Sequence, residues 1–517
     1  MPLNFSKLKP HWLALPRSVT VLRSIRNAVW SAADHLTLPL LMLISTPLLL
    51  QKLGVEQYGI WMLVNSTISM MTLMNLGLGD ATIKFVAKHR SQADYLAIGR
   101  VVRTTLTIYS GMGLLAAMAI YVLAGPLVQN IFRIDGGLNS LATAAVQVGG
   151  LILAVKMGET IFVATLRGFE RHDLTARIAM VLKVATTCLS LCLALLGFGL
   201  MPILQVTLGL TIISTFAQAT AAGRLLGSFN FLPLWDLVTL REIMSFGLWS
   251  WLQAISGVLF GQADRLLITS MLGTTALAYY SVCIQLAQQV HSLLASATSF
   301  MFPLSSAMSG NDDRSGVVTM YRRILPAVIT LTIALVIPIY LLSPAFLSIW
   351  VGPEFSHNGA TVLPFLVIAF GGLAAFTIVP YYILNGLGLV RINVAMGAIY
   401  GLIVTTGTVL LLPRLGIAGA AWAHVINLIP FILGLAYIDI QVFRSRNWLP
   451  TLGYSISYLV PAFMVITIDS FLLLHARPLV QITLAASVLS ILGAGICHWI
   501  NARFSRMRGS VLSPVLK

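Results

Sequence analysis

FGLWSWLQAISGVLFGQADRLLITSMLG, residues 246–273, decides how this chain is read. At ~1.5 Å per helical residue it is long and apolar enough to cross a bilayer. It nevertheless carries Asp264 and Arg265 side by side near its second end. Ionisable groups in hydrocarbon cost about 2.5–3.5 kcal/mol each on insertion scales, so they face a bundle interior or a watery cavity. The stretch also has an earlier counterpart. Moving back 219 positions superposes Trp249, Ser250, Leu272 and Gly273 on Trp30, Ser31, Leu53 and Gly54.

Working outward, the 517 residues are 58% hydrophobic and 9% charged, and the mean hydropathy is +0.90. That composition excludes a soluble globular protein. Apolar runs divided by Gly, Pro and charge predict about fourteen helices, at roughly 28–50, 58–80, 102–124, 141–164, 176–197, 201–222, 244–271, 276–308, 323–346, 359–384, 393–413, 415–441, 453–474 and 478–500. The predicted fold class is an all-α integral membrane protein of about 14 transmembrane helices: two six-helix bundles and two C-terminal helices. Its expected parts are an N-terminal arm (1–27), a first bundle (28–222), a linker (223–243), a second bundle (244–441), an extra helix pair (453–500) and a tail (501–517).

The net charge is +16. Its bases form no face and no aromatic-interleaved patch, so nucleic acid is not an expected partner. Placing the N-terminus in the cytoplasm puts 25 of the 32 basic residues on the inner side and four on the outer side. This asymmetry predicts an even number of spans with both termini inside. The basic N-terminus lacks a small-residue cleavage site, so no cleaved signal peptide is expected. The four cysteines lie in apolar runs without metal-ligand or redox spacing and read as packing residues. No cofactor, metal site or catalytic residue is expected, because no DxD, HExxH, GxSxG or phosphate-loop run occurs and no loop is long enough for a catalytic domain.

A second pair of matches supports duplication. Leu166-Arg167-Gly168-Phe169 reappears as Leu384-Asn385-Gly386-Leu387 at an offset of 218. Six helices per half, entered from the same side, make a parallel repeat, a plan used by carriers that alternate access about a central site.

Several points of the first 440 residues resemble the polysaccharide-transporter branch of the multidrug/oligosaccharidyl-lipid/polysaccharide exporter superfamily, which includes O-antigen flippases. They are Lys52-Leu53-Gly54-Val55-Glu56-Gln57-Tyr58-Gly59, Leu76-Gly77-Leu78-Gly79-Asp80-Ala81, Gly168-Phe169-Glu170-Arg171, and Ala263-Asp264-Arg265 with Leu272-Gly273. The resemblance implies a V-shaped pair of bundles that moves an undecaprenyl-pyrophosphate-linked oligosaccharide from the inner to the outer leaflet of a bacterial inner membrane. Family members often place several arginines in the first two helices to meet the pyrophosphate. This chain departs from that pattern, with Asp34 and His35 in its first span and no base in its second.

The polar residues within the spans define the candidate site. Arg265 and Lys156 are the candidate bases for an anionic head. A polar stripe along the eighth predicted helix, Gln285, Gln288, Gln289, Ser292, Ser296 and Ser299 with His291 adjoining, is the candidate sugar-facing surface. Asp34 and His35, beside each other and a turn before Pro39, together with Asp264 and Glu159, are candidates for coupling to H+ or Na+. Each has a structural alternative: Lys156 and Glu159, three apart on one face, can neutralise each other; Asp34 and His35 can reach the interface; the stripe can bond neighbouring helices. His424 and Asn427 read as a smaller structural spot.

The expected partners are thus a lipid-linked oligosaccharide, membrane lipids, and a polysaccharide polymerase or chain-length regulator. The competing readings are a drug exporter of the same superfamily, a polysaccharide polymerase, and a non-transporting component of a glycan-assembly complex.

Overall fold

The computed structural model describes residues 17–69, 78–134, 136–226, 261–310 and 313–444, with short stretches at 234–258 and 453–461. The side chains of 17–40 and all of 462–517 lie outside the described residues, and with them most of the predicted C-terminal helix pair (453–500) and the whole tail (501–517).

The described residues form helices and no strands. In order they are α1 (Arg17–Ser69), α2 (Leu78–Ser91), α3 (Tyr95–Pro126), α4 (Asn139–Gly168), α5 (His172–Leu195), α6 (Leu200–Leu226), α7 (Ala263–Thr298), α8 (Met301–Gly310), α9 (Arg314–Trp350), α10 (Pro353–Gly359), α11 (Leu363–Gly386), α12 (Val390–Leu415), α13 (Ile417–Ile426) and α14 (Leu428–Tyr437). Among the described residues, nine stretches are long and apolar enough to cross a membrane. The chain is a multi-pass membrane protein, and the predicted all-helical class is the observed one.

Two of these helices reverse direction. In α1 only Gly54 leaves the helical region, with φ 78° and ψ 161°, and in α7 only Gly273 does, with φ 85° and ψ 178°. Sixteen residues of straight helix would separate Asp264 from Tyr280 by about 24 Å, yet Tyr280 hydrogen-bonds Asp264. Each run is therefore a hairpin of two antiparallel arms joined by one glycine in a conformation open essentially to glycine alone.

The recurrence at 218–219 residues extends well beyond the sequence matches. Asp94 caps α3 by accepting from the Ala97 N–H at 2.9 Å, and Asp313 caps α9 by accepting from the Gly316 N–H at 2.8 Å. The turn after α4 bonds Phe169 to Thr165, Glu170 to Arg167 and Arg171 to Leu166. The turn after α11 repeats these bonds as Leu387 to Ile383, Gly388 to Asn385 and Leu389 to Leu384. Left-handed residues recur as well, Arg133 with Gly352 and Gly197 with Gly416. The same supersecondary unit has been built twice from different side chains.

These matched turns define two ends. Gly54, Gly197, Gly273, Gly352 and Gly416 mark the tip end. At the other end, α2 carries Lys84, Lys88 and Arg90 around Phe85, with both lysines within 5.7 Å of the Phe85 ring centroid. Basic residues mixed with apolar ones suit the headgroup level of an anionic leaflet. The hairpins meet at their tips, where a Cβ on Gly59 would collide with the Thr274 carbonyl, so only glycine allows this approach. Trp350 adds a second tie by donating from Nε1 to the Leu43 carbonyl at 2.6 Å.

Within the second unit α11 is central: 83% of its most apolar stretch is buried inside the protein, against 11% for α5. That difference makes α11 a core helix and α5 a lipid-facing one.

Candidate functional site

Asp264 lies in the first turn of α7, nine residues before Gly273, and Tyr280 lies seven residues beyond that glycine. At ~1.5 Å per residue both sit roughly 10–14 Å below the tip. His424, eight residues after Gly416 on α13, reaches the same depth. The three converge: Tyr280 donates its hydroxyl hydrogen to Asp264 Oδ2, and His424 Nε2 stands 3.1 Å from that oxygen. Oδ1 accepts the Arg265 backbone N–H at 2.8 Å. Asp264 and Tyr280 are 0% exposed and His424 is 2% exposed, so the carboxylate is satisfied without water. The Phe370 ring of α11 lies 5.3 Å from the imidazole. The cluster ties both arms of α7 to α13.

Arg265 points elsewhere, as adjacent residues on a helix must. Its charge acts on Asp264 and Tyr280 of the cluster as well as on Tyr58 in α1, and its Nη1 donates to Gln262 Oε1 at 3.4 Å. The residue is 9% exposed, its Nε has no partner, and it enters no ion pair among the described residues. A buried cation left in this state is expensive unless an anion meets it.

The expected pairing of Lys156 with Glu159 does not occur. Glu159 Oε1 accepts from Ser214 Oγ at 2.5 Å and from Gln218 Nε2 at 2.7 Å, both on α6. Lys156, one turn nearer the tip and half-buried, enters no ion pair among the described residues. The helix-to-helix donors outcompete the in-helix lysine, whose long stem can leave Glu159 for water. Lys156 and Arg265 stand on different units and are not brought together.

The α7 stripe faces partly open space. Gln285, Gln288 and Gln289 are half-buried and Ser292 is exposed. Gln285 Nε2 lies 3.3 Å from Met62 Sδ of α1, which puts this face against the first unit. His291 on the same helix lines a cavity of about 440 Å³ with Tyr381, Tyr382, Asn393 and Tyr400. Asp34 and His35 fall outside the described side chains. No group of three or more metal-ligating side chains occurs among the described residues.

Sequence reasoning missed Tyr280, Ser214 and Gln218, and gave His424 only a structural role. Tyr280 was within reach, because residues nearly equidistant from Gly273 must meet once the helix folds back there.

The described architecture is a duplicated helical membrane bundle with sparse ionisable groups buried between hairpin arms. Residues 50–358 match the polysaccharide biosynthesis protein family, and the chain belongs to that family, on its polysaccharide-transporter branch. It is 26% identical over 345 residues to the "Uncharacterized membrane protein EpsK" of Bacillus subtilis (strain 168), covering 63% of this chain and 64% of that one. The chain therefore spans about two-thirds of that relative's length. The "Putative O-antigen transporter" of Shigella flexneri is 19% identical over 374 residues, covering 71% of this chain and 86% of its own. Among solved structures, the lipid II flippase MurJ in an inward closed conformation superposes with a TM-score of 0.67 at 12% identity, covering 93% of this chain and 99% of that one. That likeness shows the fold.

Proposed function

We propose that this protein is a secondary transporter that flips an undecaprenyl-pyrophosphate-linked oligosaccharide across the bacterial inner membrane for surface polysaccharide assembly. It does so by alternating access, with the basic end and both termini in the cytoplasm. The observation that carries this reading is Arg265, 9% exposed, with its Nε unpartnered and its guanidinium in no direct ion pair among the described residues. Such a group is poised for the diphosphate of a lipid carrier, since hydrogen bonds from Arg to phosphate are charge-assisted and bidentate. Lys156 supplies a second positive charge on the first unit. Gln285, Gln288, Gln289 and Ser292 exchange hydrogen bonds with passing sugar hydroxyls.

Asp264, held by His424 and Tyr280, is the first candidate for coupling to H+ or Na+. Asp34, His35 and Glu159 are the others. A polymerase or chain-length regulator would receive the flipped product.

The test is complementation of a strain lacking the gene. At equal protein level, Arg265→Ala should lower surface polysaccharide at least tenfold and accumulate lipid-linked oligosaccharide on the inner leaflet, and Arg265→Lys should recover part of the loss. Full export by Arg265→Ala would remove the guanidinium from the mechanism.

A further inference from the structure

A second cavity, of about 760 Å³, opens at the tip end between the two units, on the tip side of the Asp264 cluster. Both units build its wall, with Gln51, Glu56 and Gln57 from the α1 hairpin and Tyr279, Trp350 and Glu354 from α7, α9 and α10. Among the described residues no basic side chain lines it.

Its aromatic surface is fixed in place. Trp350 is held through its Nε1 bond to Leu43 and by a stacked Phe346 at 5.2 Å, and Tyr279 packs against Phe355 at 4.7 Å. The polar groups around these rings are short of partners. Gln57 Oε1 accepts the Leu200 N–H at 3.3 Å, which leaves its NH₂ free to donate into the cavity. Glu56 and Glu354 enter no ion pair among the described residues.

We propose that this cavity is a glycan-receiving site that binds neutral or amine-bearing sugar units and rejects anionic ones. Rigid rings offer faces to the apolar side of a pyranose, while amides and carboxylates take its hydroxyls. This is the pattern of a pocket that is mostly apolar with a few placed polar groups, and the volume falls within the ~300–1,000 Å³ of ordinary ligand sites. The two glutamates repel a pyrophosphate, so the site takes the sugar end of a substrate and not its head. Arg265, eight residues before Gly273, lies about 12 Å below that tip, so a head held there directs its sugars toward the tip-end cavity. The inference rests on the flippase reading for the identity of its ligand, and on the cavity itself for its chemistry.

The test uses the full chain in lipid nanodiscs and saturation-transfer NMR. The probes are neutral trisaccharides of glucose, galactose and N-acetylglucosamine, the cationic trimer of glucosamine, and trigalacturonate. Transfer is expected to the ring protons of at least one neutral trisaccharide and to the glucosamine trimer. It should fall at least fivefold in Trp350→Ala and stay above half in Trp350→Phe, which keeps an aromatic face while giving up the indole's second ring and its N–H. Trigalacturonate should be silent with the native chain and gain signal in the double variant Glu56→Gln/Glu354→Gln. Absence of transfer from every neutral and cationic probe, or transfer indifferent to Trp350→Ala in protein of unchanged melting temperature, overturns the proposal. Binding that persists although deletion of the gene leaves polysaccharide export intact would support the cavity and sink the flippase reading. Export that depends on Arg265 with no glycan binding would sink the cavity alone.

Discussion

Asp264 has three donors, and each can be removed separately. His424→Ala leaves a fully buried carboxylate one partner short. Breaking a buried charged pair costs about 3–5 kcal/mol, but the Tyr280 hydroxyl and the Arg265 N–H remain, so the expected loss is roughly 2–3 kcal/mol. Tyr280→Phe should cost about 1–2 kcal/mol on the same ground. Thermal unfolding in detergent measures both, and a His424→Ala protein as stable as the native one would show that the imidazole is idle. The sequence exposed Asp264 and Arg265 as anomalies and showed that neighbours on a helix must diverge. It could not show that the partner of Asp264 lies 160 residues away, because no local pattern links α7 to α13. Glu159 teaches the converse. Its in-helix spacing to Lys156 was legible, and the donors that won, Ser214 and Gln218, belong to another helix.

At the scale of elements, one residue per hairpin does the turning. Gly54 and Gly273 pair a positive φ with ψ near 160–180°, a region that costs a side-chain-bearing residue about 1–3 kcal/mol. Gly54→Ala and Gly273→Ala should therefore each lower unfolding stability by that amount, although a Cβ at either position would meet no atom within 4 Å. Gly59→Ala should be worse, because there the new carbon runs into backbone. An unchanged melting curve for Gly273→Ala would remove strain as the reason for glycine. The apolar runs predicted four separate spans in these two regions, as the reversed arms require. They did not reveal that each reversal takes a single non-helical residue, since the surrounding sequence keeps full helical propensity. The Asp94 and Asp313 caps were equally hidden, although their common offset lay open to the same comparison that paired Gly54 with Gly273.

For the whole molecule, the contacts at the tip end, Gly59 on Thr274 and Trp350 on Leu43, join the two units where the proposed alternating access requires them to part. Cysteines at 55 and 275, on the two hairpin tips that line the same cavity, bridged by a flexible bis-methanethiosulfonate, which forms a disulfide at each cysteine and expels two sulfinates, should abolish export, and reduction should restore it. Export that continues through the bridged protein would rule out opening at that end. The two-unit plan was visible in a handful of matched residues, because turns retain their glycines and caps while helix faces drift. The division of labour between units was not. Asp264 and Tyr280 align with Ser45 and Trp61, so the cluster exists in one copy only and no repeat comparison could have found it.

The matched turns also fix a parity. Gly197 and Gly416 close corresponding strokes of the chain, as do Asp94 and Asp313, so reporter enzymes spliced in at 197 and 416 must light up in one compartment and those at 94 and 313 in the other. Loss of a single crossing from either unit would turn everything downstream inside out. Between the matched turns, crossings can be gained or shed only in twos.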